Sequence, residues 1–323
     1  KYLLLLIIFF VFLLCGCKNL PSEKDDLPKF STLTEHDLLV NSEEIRLKTI
    51  NLIKNAEKAI FIELSAFNDS EILDLIIEKA HKGIEVRILL DQWQSINSNT
   101  VKKLKNENIS VQYYPAQKGQ FHKVRFMVVD YKTAIYYCQD WSEKGYETYN
   151  FALVLSGSSV RTITKAFIND WAYTTTISLE LPNNINLADD YVSYTVNAGI
   201  KQQIIKAINS TQSELKIYVE HLSDKEIIEA LIVAKNRGCK ITLVLNPSSK
   251  ESIPEALLDS QIDINYFNHP QTMGFNLAIF DQEKTLLTSS SWTYYTFVIN
   301  HENALIIPSP SIAKKIIDTL QSY

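Results

Sequence analysis

The chain is poor in glycine, with eight in 323 residues, and poor in cysteine, with four. It carries no close-spaced Cys/His set of the kind that holds structural zinc, so no metal and no cofactor is expected. Cationic excess is absent as well. Thirty-two Lys and Arg stand against 37 Asp and Glu, a formal charge of −5. That balance argues against a general attraction to nucleic acid or anionic membrane and leaves room only for a local basic pocket. No apolar run reaches the roughly 20 residues a spanning helix needs. What the chain does have is core-forming bulk. At 46% hydrophobic residues it suits two ordinary domains or one large bilobal one, and it is too apolar for disorder.

Lys1 precedes an unbroken apolar run from Tyr2 to Leu14, followed by Cys15-Gly16-Cys17 and Lys18-Asn19. A cationic start, a short apolar stretch and small residues before a cut describe an export signal. Leu14-Cys15-Gly16-Cys17 resembles the bacterial lipobox, with Cys15 an unusual occupant of its position. The resemblance implies that residues 1–17 are a signal peptide and that Cys17 is acylated as the mature N-terminus. An uncleaved membrane anchor is the competing reading. Residues 18–40 are polar and broken by Pro21 and Pro28, and read as a flexible tether. The expectation is an exported protein held at the cell envelope, with the membrane as partner through the lipid. Cys138 and Cys239 lie in apolar, strand-like contexts and are expected as separate thiols, although export would permit a disulfide.

Beyond the tether the chain repeats itself. Asp69-Ser-Glu-Ile matches Asp224-Lys-Glu-Ile, and Lys82-Gly83 matches Arg237-Gly238, both at an offset of 155 (69 to 224, 83 to 238). A strand follows each glycine: Ile84-Glu-Val-Arg-Ile-Leu-Leu-Asp91 and Cys239-Lys-Ile-Thr-Leu-Val-Leu-Asn246. The two aspartates read as helix N-caps, and the two glycines as left-handed helix ends. Strands that alternate with helices predict α/β sandwich lobes with a mainly parallel or mixed sheet. Two pseudo-repeated lobes are therefore expected, 41–177 and 178–323, packed as one bilobal unit.

After the third strand of each lobe come the segments that carry chemistry. The first reads Gln120-Phe-His-Lys-Val-Arg-Phe-Met-Val-Val-Asp130 and then Ala134-Ile-Tyr-Tyr-Cys-Gln-Asp-Trp-Ser142. The second reads Met273-Gly-Phe-Asn-Leu-Ala-Ile-Phe-Asp281 and then Leu286-Leu-Thr-Ser-Ser-Ser-Trp-Thr293, and closes with Asn300-His-Glu-Asn303. Together with the repeat, these resemble the phospholipase D superfamily over about residues 41–323. Its signature is H-x-K-x4-D, then G-S-x-N, then N-x-E-N. The resemblance implies a site where two motifs meet between lobes. One His attacks phosphorus, the other protonates the leaving alcohol, and both Lys hold phosphate oxygens. Imidazole suits both roles because it titrates near neutrality, and lysine stabilises charge developing on phosphorus.

The departures decide the functional reading. Counting back from Asp130, the His position is Lys123 and the Lys position Arg125; counting back from Asp281, they are Gly274 and Asn276. The G-S-x-N element has become Tyr137-Cys138-x-Asp140 in one lobe and Thr288-Ser289-x-Ser291 in the other. Only Asp130, Asp281, Ser289, Glu302 and Asn303 agree residue for residue. Lys123 and Arg125, two apart on one strand face, read either as a retained phosphate site or as ion-pair partners of Asp140. Glu302 reads as a left-over inter-lobe partner facing Gly274, and Trp141 and Trp292 as core. His122, one position early, is catalytic only if a bulge turns it back; otherwise alternation buries it on the opposite face.

Two functions survive. One is a phospholipase D-like lipoprotein with impaired catalysis, keeping an anion-binding or scaffold role toward a phospholipid or a partner protein, with nucleic acid disfavoured. The other is an active phosphodiesterase that uses a displaced His122. For the anchor, radiolabelled palmitate should enter the wild-type protein and be lost on Cys17→Ser; equal labelling of the variant contradicts the lipobox reading.

Overall fold

Fourteen strands form two seven-stranded sheets of identical topology in the computed structural model, which describes residues 30–321. Both Cys17 and the lipobox lie outside those residues. The first lobe runs β1 (Leu38–Val40), α1 (Ser42–Lys54), β2 (Ala59–Leu64), α2 (Ser70–His81), β3 (Glu85–Asp91), α3 (Asn97–Asn106) and β4 (Ser110–Tyr114). It continues through β5 (Phe126–Val129), β6 (Thr133–Tyr137), α4 (Glu143–Tyr146), β7 (Phe151–Leu155) and α5 (Ser158–Thr175). Residues 176–192 cross to the second lobe, which opens on β8 (Ser193–Val196), α6 (Ala198–Ser210), β9 (Glu214–Val219), α7 (Lys225–Asn236) and β10 (Lys240–Leu245). Then come α8 (Glu255–Leu258), β11 (Asp263–Tyr266), β12 (Asn276–Phe280), β13 (Lys284–Thr288), α9 (Tyr294–Val298), β14 (Asn303–Ile307) and α10 (Pro310–Leu320).

The sheet orders are β1-β7-β6-β5-β2-β3-β4 and β8-β14-β13-β12-β9-β10-β11. In each, three strands joined by helices run parallel and the remainder pair antiparallel. The predicted caps are present. Asp69 accepts from the Ile72 N–H and Asp224 from the Ile227 N–H, while Gly83 and Gly238 take φ of +87° and +100°. The caps even share a cation: Arg46 pairs with Asp69, and Lys201 with Asp224.

Alternation along the strands feeds two cores at once. Ile60, Ile62 and Leu64 of β2 pack outward under α1 and α2, whereas Ala59 and Phe61 face the other sheet. A continuous core between the sheets joins Phe126, Phe151 and Phe167 of the first lobe to Phe275, Leu287 and Leu305 of the second. Trp141 and Trp292 are fully buried, one under each outer helical layer. Cys138 and Cys239 are buried free thiols.

Of the tether expected over 18–40, the described residues 30–40 include segments packed on the fold. Leu38 and Leu39 are buried and β1 pairs with β7 at the sheet edge. The Ser31 N–H donates to Pro308 O at 2.6 Å and Ser309 Oγ to Leu33 O at 2.9 Å. Apolar pairs at 33 and 38–39 outweigh the polar residues around them.

Because the inter-sheet core is shared, each half alone would expose a broad apolar face. Fragments 30–177 and 178–323, expressed separately, should be aggregating or loosely packed, with dye binding and poor near-ultraviolet dichroism. Two stable monomeric halves would contradict the shared core.

Candidate functional site

The two motif segments meet at the lobe boundary through backbone pairing. The His301 N–H donates to Phe121 O at 2.9 Å, and the Lys123 N–H donates to His301 O at 2.7 Å. The second motif repeats the arrangement: the Tyr149 N–H donates to Thr272 O at 2.9 Å and the Gly274 N–H to Tyr149 O at 3.0 Å. Position 149 therefore corresponds to 301, and Asn150 stands where Glu302 stands. The sequence comparison missed this pair because Thr148-Tyr149-Asn150-Phe151 shares no residue type with Asn300-His-Glu-Asn303 at matching places.

Lys123 and Arg125 both precede β5 and differ in burial and partners. Arg125 is buried, with Nε 3.0 Å from Asp140 Oδ1, Nη2 3.3 Å from Oδ2, and Nη1 donating to Ser289 O of the other lobe at 2.6 Å. The alternative of ion pairing with Asp140 is thus the arrangement found for Arg125. Desolvation works against its charge, but Asp140 more than offsets it and keeps the guanidinium protonated. Lys123 is only half-buried. Its Nζ lies 5.4 Å over the Phe121 ring, and no carboxylate reaches it within 4 Å among the described residues.

The second motif has no cation. A Cβ at Gly274 would come far inside contact distance of Thr148 Oγ1 and within 2.6 Å of Asn150 Oδ1. The nearest groups there are Thr148 and Asn150, rather than the expected Glu302. Asn276 accepts the Glu220 N–H at 2.9 Å through Oδ1, and Ser291 Oγ donates to Glu220 Oε2 at 3.3 Å. Glu302 is fully buried. It accepts from Ser289 Oγ and from Asn300 Nδ2, and burial raises its carboxyl above the usual range despite those bonds. The Asn303 N–H donates to Ser289 Oγ at 3.0 Å. Burial also pushes the Cys138 thiol up to about 12, which makes it inert as a nucleophile.

The two motif aspartates have a fold-level job. Asp130 and Asp281 both sit at positive φ (55° and 51°). Asp130 collects the N–H groups of Glu57, Lys58 and Ala59, and Asp281 those of Gln212, Ser213 and Glu214. Each fastens the entry to an interior strand, β2 or β9. Burial would raise the Asp281 carboxyl, but these bonds carry it below its ordinary value.

His122 is fully buried. Its ring stacks on Tyr114 (4.6 Å between centroids) and lies 5.2 Å from His301. Nε2 is 3.3 Å from Glu63 Oε1, and burial, with His301, Arg125 and Lys123 nearby, holds its pKa well below the usual histidine value. The bulge that would turn it into the motif site is not formed.

Residues 49–171 and 204–323 match the family described as cardiolipin synthase, PLD-like domain. The chain is 22% identical over 339 residues to a cardiolipin synthase of Clostridium perfringens (strain SM101 / Type A), covering 90% of this chain and 71% of that protein. It is 27% identical over 124 residues to a phospholipase D of Rickettsia prowazekii (strain Madrid E), covering 38% of this chain and 60% of that one. Phosphatidylserine synthase from Haemophilus influenzae Rd KW20 superposes with a TM-score of 0.71 at 15% identity, over 92% of this chain and 88% of its own. Polyphosphate kinase from Porphyromonas gingivalis gives 0.69 at 13% identity, over 94% of this chain and 52% of its own. These two structural likenesses carry the fold alone.

Arg125→Ala strands the Asp140 carboxylate and the Ser289 carbonyl, so it should cost about 3–5 kcal/mol in denaturant unfolding. Lys123→Ala should cost under about 1 kcal/mol. Equal effects from the two variants would contradict the division of labour described.

Proposed function

The chain belongs to the phospholipase D superfamily, matching its cardiolipin synthase-type domain in both halves, and on that premise we propose that it is a member without the phosphohistidine route. In this reading it is lipid-anchored through Cys17, exported, and held at the cell envelope. Its inter-lobe surface serves as a binding or scaffold site for a phosphate-bearing ligand such as a phospholipid headgroup.

Gly274 carries the proposal. The site needs two imidazoles, and at this position Thr148 and Asn150 already occupy the volume of even a first side-chain carbon. Loss of the histidine here is therefore packed in, and reverting one residue does not undo it. At the first motif an amine replaces the imidazole at Lys123, and Arg125 is spent on Asp140 and Ser289. Removing one covalent nucleophile costs an enzyme on the order of 10⁶ in rate. A positive, half-exposed Lys123 still suits an anion, since that role needs only charge. Relatives named as cardiolipin synthases make a phospholipid headgroup the first ligand to try.

The experiment pairs turnover with binding. Purified protein is assayed on a chromogenic phosphodiester and on phospholipid vesicles, and phosphate is titrated by calorimetry. We expect no turnover above background, no gain from Lys123→His alone, and phosphate binding that weakens in Lys123→Ala. Turnover that disappears in His122→Ala would sink the inactive reading and reinstate a displaced-histidine phosphodiesterase.

A further inference from the structure

The surroundings of His122 are built for a ligand that the motif site does not use. Glu63 shares a face of β2 with Ala59 and Phe61 and so points into the apolar space between the sheets. Both its oxygens are buried without a well-formed hydrogen bond, as are both ring nitrogens of His122. Ligand atoms of Glu63, His122 and His301 lie within 4.8 Å of one another. Two separations are closer: 3.3 Å from Glu63 Oε1 to His122 Nε2, and 3.9 Å from Glu63 Oε1 to His301 Nε2. Tetrahedral ligands at zinc–nitrogen and zinc–oxygen bond lengths stand about 3.3 Å apart.

The orientation of His301 is set by its neighbours. Asn197 Oδ1 accepts the Glu302 backbone N–H at 3.0 Å, which fixes that atom as the amide oxygen. The same oxygen lies 2.9 Å from His301 Nδ1, so Nδ1 donates to it. Nε2 is thereby turned toward Asp170 Oδ2, at 3.0 Å, and toward Glu63. An Nδ1–H held by a side-chain oxygen, with Nε2 free, is how proteins orient a histidine toward a metal.

The fold itself does not call for these groups. At the pseudo-equivalent positions of the other lobe stand Tyr218 for Glu63, Met273 for His122 and Tyr149 for His301, packed among Phe267 and Phe275. One half fills the place with apolar bulk, whereas the other fills it with two imidazoles and a carboxylate at comparable burial.

We propose that Glu63, His122 and His301, joined by Asp170, bind a divalent transition metal of the zinc class at the lobe boundary. Two imidazoles with carboxylate oxygens select that class over magnesium or calcium, which prefer all-oxygen shells. Three ligands come from the first lobe and His301 from the second, so the ion is a clasp between them. Asp170 is the partly exposed member, its side chain 15% accessible, and marks the way in. The site is closed and structural, independent of the reading of the motif site.

The test uses the untagged full chain, stripped with chelator, loaded with Zn²⁺ and dialysed. The comparison is His122→Met, which copies Met273 and keeps the core packable. We expect about one more zinc per chain in the wild type than in the variant. Visible absorption of four-coordinate Co²⁺ should appear in the wild type alone, and its thermal midpoint should rise with Zn²⁺ but not with Mg²⁺. Glu63→Gln keeps shape and removes charge, and should weaken zinc binding by at least the roughly 10–100-fold that changes outside the ligand shell cost. Equal zinc in wild type and His122→Met, or a folded wild type whose midpoint ignores Zn²⁺, would overturn the proposal. Those outcomes would leave a proton shared between Glu63 and Asp170 as the balancing charge.

Discussion

The interaction on which the rest of the structure depends is the reciprocal backbone pairing of each motif segment with the opposite lobe. Residues 121–123 bond to His301 and residues 272–274 to Tyr149. These bonds join the two lobes beside the shared apolar core. Two side chains in or beside the motifs reach across the boundary. Arg125 reaches Ser289 O, and Tyr136 Oη reaches Asn303 O at 3.1 Å. Such groups are buried on both sides, and a buried donor left unmatched costs more than the bond gains. The interface thus tolerates little sliding.

Within that frame the motif residues separate by what they are attached to. Those bonded to backbone, Asp130 and Asp281, remain as the family signature has them because β2 and β9 need an acceptor where they begin. Those whose value lies in imidazole chemistry have been replaced, and their replacements are integrated. Asp140 satisfies the Ala66 N–H as well as Arg125, and Thr148 and Asn150 close over Gly274. The half of the signature that stays legible here is the half that serves folding.

Local rules made much of this visible in the sequence. The repeat, the Asp69 and Asp224 caps, the Gly83 and Gly238 helix ends and the buried Trp141 and Trp292 each follow from spacing within a few residues. What stayed hidden depends on contacts that spacing does not encode. Glu63 reads as one polar residue in an apolar strand, and nothing near it in sequence points to His122 or His301. Arg125 is tied to Ser289 O, a partner 164 residues away that its neighbours in sequence do not announce. Leu38 and Leu39 are buried because β7, more than a hundred residues on, supplies the edge that β1 pairs with.

The seam between Ser31 and Pro308, and between Leu33 and Ser309, has a kinetic consequence. It joins the first described residues to the start of the last helix, a loop of nearly the whole chain. Closing so long a loop costs only slightly more entropy than closing a medium one, yet it cannot begin until synthesis has reached the final helix. Edge strand β1 likewise pairs with β7, more than a hundred residues later in the chain. The first described residues therefore reach their final contacts only once the last helix is made.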